Sequence, residues 1–188
     1  MDDVLFDFLG EYFVWHNKNF ASTYKPSDMV YDKLWEVWGG SKEETLEYIQ
    51  SFWSETNQLK IKPISGADEV LKKLSSKYHL AIVSARFAST ASETQAWIDY
   101  YFPNIFDDVI LGVSDPMAEK RPQRKSELCL EMGAKTLIDD QLVHALECNA
   151  LGIDAVLFGN LAHNQSEKLP DGVTRVDDWM AVGELLAR

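Results

Sequence analysis

At 188 residues and 46% hydrophobic content, the chain is long enough for one layered domain with a small insertion and apolar enough to fill its core, which excludes a disordered segment. A formal net charge of -12 argues against a nucleic-acid polymer as partner, because backbone phosphates call for Lys and Arg gathered on one face, although a single nucleotide in a local pocket stays open. No apolar run approaches the ~18 residues that cross a bilayer, Asp2 and Asp3 stand where a basic leader would be, and Cys129 and Cys148 lack CxxC or Cys/His spacing; a cytoplasmic protein with reduced, buried thiols and no membrane, disulfide framework or zinc site is expected.

The hydrophobic period changes near Gly10 and again near Pro63. This divides the chain into an α/β core, residues 1–9 and 63–188, and a helical insertion, residues 10–62. Inside the insertion Leu34, Val37 and Trp38 share one helical face, and Leu46, Ile49, Phe52 and Trp53 another. Ser41 stands three residues before Glu44, a capping box that predicts a helix from Lys42 to Trp53.

Beyond Pro63 helical segments alternate with short, β-branched apolar runs of the kind found in strands buried on both faces. The predicted order is helix 67–77, strand 79–84, helix 89–101, strand 108–112, helix 124–132, strand 136–138, helix 141–151, strand 155–158 and a closing helix from Trp179. Such alternation is the mark of a doubly wound parallel α/β sheet, whose ligands sit beyond the carboxyl ends of the strands. Ser84, Ala85 and Arg86, and then Asp139 and Asp140, follow apolar runs and are placed on that rim.

Four segments carry a resemblance: Met1-Asp2-Asp3-Val4-Leu5, the run Leu80 to Arg86 (Leu-Ala-Ile-Val-Ser-Ala-Arg), Lys125-Ser126, and Leu137-Ile138-Asp139-Asp140. Together they resemble the haloacid-dehalogenase-like (HAD) superfamily, in its 5'(3')-deoxyribonucleotidase-like branch, with a helical cap inserted after the first motif. The resemblance implies a Rossmann-like core and a magnesium-dependent phosphomonoester hydrolase that works through an aspartyl-phosphate, with a small phosphorylated substrate, a nucleoside monophosphate. By the same resemblance Asp2 is the acid/base and a metal ligand, Ser84 bonds the transferring phosphoryl group, and Lys125 neutralises its charge, with Lys120 as a substitute. Arg86 and Ala85 contact substrate phosphate, and Asp139 and Asp140 hold Mg²⁺.

Each assignment has a plainer competitor. A serine after a strand is ordinarily a turn residue, the basic stretch around Arg124 an exposed face, and an acid before a helix a cap. Trp15, Tyr31, Trp35, Trp38 and Trp53 could stack on a base but suit core packing, and His144 reads as a packed helix residue rather than a base.

The family's first motif is Asp-x-Asp, where paired carboxylates on an extended segment face the same way and act as nucleophile and acid. Aligned here, the acid is Asp2 and the nucleophile falls one position before Met1. The native protein is therefore expected to begin upstream, this chain to be inactive, and the sheet to lack its central strand, leaving unpaired backbone groups. Two rivals are a phosphate- or nucleotide-binding HAD-like protein without catalysis, and a phosphoacceptor signalling domain, which leaves the helical insertion unexplained.

Overall fold

The computed structural model describes residues 1–29, 33–113, 123–166 and 168–187. The chain opens in a tight turn, where the Met1 carbonyl accepts from the amides of Val4, Leu5 and Phe6. Helix α1 follows, Phe8–Phe20, started by Asp7, whose side chain accepts from the Gly10 amide. A Cβ on residue 10 would collide with that carboxylate. Gly10 lies inside α1, where the sequence pattern suggested a domain border.

Short helix α2, Trp35–Trp38, leads to α3, Lys42–Glu55, which carries the expected capping box: the Glu44 amide donates to Ser41 Oγ and the Ser41 amide to Glu44 Oε2. Helix α1 packs on α3 through Tyr12 and Phe52. The remaining elements follow the predicted order, with one strand, β5, added before the last helix: α4 Ala67–Leu74, β1 Ala81–Val83, α5 Ala91–Tyr101, β2 Asp108–Ile110, α6 Lys125–Glu131, β3 Thr136–Asp139, α7 Leu142–Ala150, β4 Asp154–Phe158, β5 Val173–Val176 and α8 Trp179–Leu186.

Among the described residues the pairings of β1 with β2, β3 with β4 and β4 with β5 are parallel. The predicted strand 79–84 shortens to three residues and helix 67–77 to eight. Strand β5 was not foreseen; it is an edge strand whose sequence, Val-Thr-Arg-Val, has two buried valines around an exposed and a half-buried residue and lacks the unbroken apolar run that marked the others.

The sheet is in two pieces, β1-β2 and β3-β4-β5. Among the described residues no backbone hydrogen bond joins them. They share one core all the same: Ile82 of the first piece and Val156, Phe158 and Val176 of the second belong to a single apolar cluster with Phe6, Trp97 and Trp179. The Trp179 Nε1–H donates to the Val4 carbonyl at 2.7 Å, which pins the N-terminal turn against α8.

Candidate active site

A cleft of ≈ 290 Å³ opens where the two pieces of sheet meet helices α1, α2 and α3. Its floor takes Asp2 and Asp3 from the N-terminal turn, Ser84 and Ala85 after β1, Lys125 at the start of α6 and Asp140 after β3. Its roof is apolar, with Leu9, Met29, Leu34, Trp35, Leu46 and Ile49, and Lys42 at the rim. Strand-end residues reach one place because parallel strands joined by helices present all their carboxyl ends on one side.

Lys125 donates to Asp139 Oδ2 at 2.7 Å, and the two side chains are only 9% and 3% exposed. Burial works against both charges. For Lys125 it is outweighed by the Asp139 carboxylate, helped by Asp140 and Asp2, so the ammonium is held above its ordinary range. For Asp139 burial is outweighed by Lys125, which draws the carboxyl below its ordinary range. The other oxygen of Asp139 accepts from the Gln141 amide. Asp139 therefore lies behind the cleft as the partner of Lys125 and fixes the turn that leads into α7.

Asp140 faces the cleft. Its Oδ2 contacts His163 Nε2 at 3.1 Å and Gln141 Nε2 at 3.0 Å, and no described residue donates to Oδ1. Its backbone is held as well, because the fully buried Asn164 donates from Nδ2 to the carbonyls of Asp140, Phe158 and Gly159. Asn164 is fixed in turn by the Arg175 guanidinium. This hub was invisible in the sequence, because neither His163 nor Asn164 belongs to a motif or a periodic run.

Ser84 is 2% exposed, and its hydroxyl accepts from the Arg86 amide at 3.3 Å. Arg86 is turned away from the cleft: its side chain is 1% exposed, is absent from the cleft lining, and is ion-paired with Asp2. Asp3 lines the cleft in a left-handed conformation, φ 52, and accepts from the Leu9 amide. Burial first, and then the charge of Asp140, push its carboxyl well above the ordinary range. Of the aromatics considered for base stacking, Trp35 lines the cleft, whereas Trp53 is buried against Phe6 and Trp38 stacks on His16. Tyr31, Lys120 and Arg121 lie outside the described residues.

The oxygen donors that could hold a divalent cation from the floor are Asp140 Oδ1 and Asp2 Oδ2, both hard ligands. Among the described residues no three His, Cys, Asp or Glu side chains gather as a metal cluster. The donor set fits Mg²⁺, which commonly takes one or two carboxylates and completes its shell with water and substrate phosphate. Both thiols are buried and unbridged, and among the described residues no helix is long and apolar enough to cross a membrane.

The sequence profile of the 5' nucleotidase, deoxy (pyrimidine), cytosolic type C protein family matches residues 1–188. Three solved structures share the fold. A haloacid dehalogenase-like hydrolase of Streptococcus pneumoniae superposes with TM-score 0.66 at 16% identity, covering 97% of this chain and 93% of its own. A HAD-superfamily hydrolase of subfamily IA from Geobacter sulfurreducens gives 0.61 at 15%, with 98% and 95% covered. A HAD-hydrolase of Bacillus subtilis, solved bound to magnesium, gives 0.61 at 14%, with 100% and 96% covered. No curated protein sequence matches the chain.

Proposed function

The chain belongs to the 5' nucleotidase, deoxy (pyrimidine), cytosolic type C family of HAD-type phosphatases and nucleotidases, and from that premise we propose that its cleft is a magnesium-dependent site for nucleoside monophosphates. The observation that carries this reading is one floor on which a buried lysine, a buried serine and the three carboxylates of Asp2, Asp3 and Asp140 line the same ≈ 290 Å³. Such a set suits a phosphate monoester: Lys125 offsets its charge, and the Ser84 hydroxyl and Ala85 backbone lie where its oxygens would be met. Asp140 and Asp2 would hold Mg²⁺, and Asp139 would keep Lys125 charged and aimed. A bound Mg²⁺ supplies further positive charge against the phosphoryl oxygens.

The apolar roof with Trp35 suits a planar base and a sugar more than a second charged group. The boundaries that go with this reading are an α/β core of residues 1–9 and 63–188 and a cap of residues 10–62. The family's description as cytosolic supports a cytoplasmic location.

One observation favours binding without turnover in this chain. Each carboxylate at the floor has at least one oxygen engaged, with Asp2 tied to Arg86, Asp3 to the Leu9 amide and Asp140 to His163 and Gln141, while Asp139 behind the floor is tied to Lys125. Asp140 Oδ1 and Asp2 Oδ2 are the oxygens left for the cation, and the Asp3 carboxyl is held well above its ordinary range by burial, so no carboxylate of the floor stands ready as the nucleophile that an aspartyl-phosphate needs. Release of inorganic phosphate from a panel of nucleoside monophosphates with Mg²⁺ tests this. The expected rate is at least about a thousandfold below the ~10 s⁻¹ of an ordinary enzyme; turnover near that ordinary value contradicts the reading of the chain as a binder.

A further inference from the structure

The Arg86 guanidinium is spread over four chain segments. Nε donates to Asp2 Oδ1 at 2.9 Å and Oδ2 at 3.1 Å, and Nη2 to Asp2 Oδ1 at 2.6 Å. Nη1 donates to Gln58 Oε1 at 3.0 Å and to Thr94 Oγ1 at 3.2 Å. The rings of Phe6 and Trp53 each lie 4.3 Å from the guanidinium carbon. Only a planar, forked cation can fill this place, since an ammonium has neither the parallel donors nor the flat faces for two rings.

The arrangement does more than neutralise a charge. The fork presses on Oδ1 of Asp2 with two short bonds and leaves Oδ2 with a single contact at 3.1 Å, so Oδ2 keeps spare acceptor capacity. Asp2 is 29% exposed and lines the cleft, whereas Arg86 has no access to it. Gln58 is anchored for its Oε1 alone, since its buried Nε2 has no partner. Gln58 and Trp53, from the end of the cap, thereby hold the guanidinium that holds Asp2.

We propose that Arg86 is a positioning residue that sets the Asp2 carboxylate for the cation, with Oδ1 locked and Oδ2 available. This rests on the reading that Asp2 serves a divalent metal. The test has two arms on the full chain. In the first, Mn²⁺ affinity is measured by electron paramagnetic resonance for the wild type, Arg86→Lys, Asp2→Asn and the double variant. Loss of such a supporting contact typically weakens metal binding about 10–100-fold; that loss is expected in Arg86→Lys, with little further loss when Asp2→Asn is already present. Equal affinity of Arg86→Lys and wild type, or independent losses that multiply in the double variant, overturns the proposal.

The second arm needs no Arg86 variant and no metal. In the wild type the Arg86 Nε–H is expected as a slowly exchanging nuclear magnetic resonance signal that Asp2→Asn exposes to rapid exchange. A signal that exchanges rapidly in the wild type overturns the proposal even if Arg86→Lys fails to fold. If Mn²⁺ does not bind the wild type while the Nε–H signal behaves as expected, the metal reading of the cleft fails and the Arg86–Asp2 lock stands.

Discussion

Lys125 Nζ and Asp139 Oδ2 lie 2.7 Å apart at the inner wall of the cleft, nearly sealed from solvent. Removing one partner leaves the other as a lone buried charge, which costs about 3–5 kcal/mol, whereas removing both is close to neutral. Lys125→Met is expected to lose stability of that order in urea unfolding, and Lys125→Met/Asp139→Asn to recover most of it. Because the Asp139 carboxyl is held below its unfolded value, its contribution is complete above about pH 4 and is lost as pH falls through the folded value. The double variant is expected to have a flatter acid limb.

Asp3 gives the opposite sign. Its folded carboxyl sits well above the ordinary range, from burial and the nearby Asp140, so ionising it weighs on the folded state as pH rises above about 4. Asn keeps the acceptor for the Leu9 amide and tolerates the left-handed backbone at φ 52. Asp3→Asn is expected to be more stable than the wild type at pH 7 and equal to it near pH 3, as thermal unfolding at the two pH values shows.

Asn164 serves three carbonyls from a fully buried position. Asn164→Ala leaves buried acceptors unmet and is expected to cost about 1–3 kcal/mol. Because one of those carbonyls is that of Asp140, amide exchange at residues 140 and 141 should accelerate more than exchange in α4.

The exposed His79 pairs with Asp108 at 2.7 Å, and that hydrogen bond, aided by the charges of Asp107 and Asp108, raises its pKa. A raised histidine contributes stability below about pH 6.5 and loses it as pH rises through the folded value. The unfolding midpoints of wild type and His79→Gln should differ at pH 5.5 and converge by pH 8.5.

Much of this architecture was legible because it repeats locally. The alternation of apolar runs and helices after Pro63 fixed the order of the core, and Ser41 with Glu44 marked the start of α3. Strand-end logic put Ser84, Ala85, Arg86, Asp139 and Asp140 on one rim; Ser84, Ala85 and Asp140 line the cleft together with Lys125, which the resemblance had added, and Arg86 and Asp139 do not. What stayed hidden depends on long-range contact. Arg86 read as a substrate contact because a guanidinium after a strand has that form, yet its partners are 84, 28 and 8 residues away. Asp139 and Asp140 looked like equivalent ligands, and only the fold separates the one that turns to Lys125 from the one that faces the cleft. Asn164 and His163 are joined to Asp140 across 24 and 23 residues, a tie that carries no local periodicity.

Isothermal titration of the chain with deoxyuridine monophosphate, with and without Mg²⁺, and of Lys125→Met under the same conditions, tests the phosphate site most directly. Binding that requires Mg²⁺ and weakens at least about tenfold in Lys125→Met, a loss of ~1.4 kcal/mol, is the result predicted. Binding indifferent to both the cation and Lys125, or no binding at millimolar nucleotide, contradicts it.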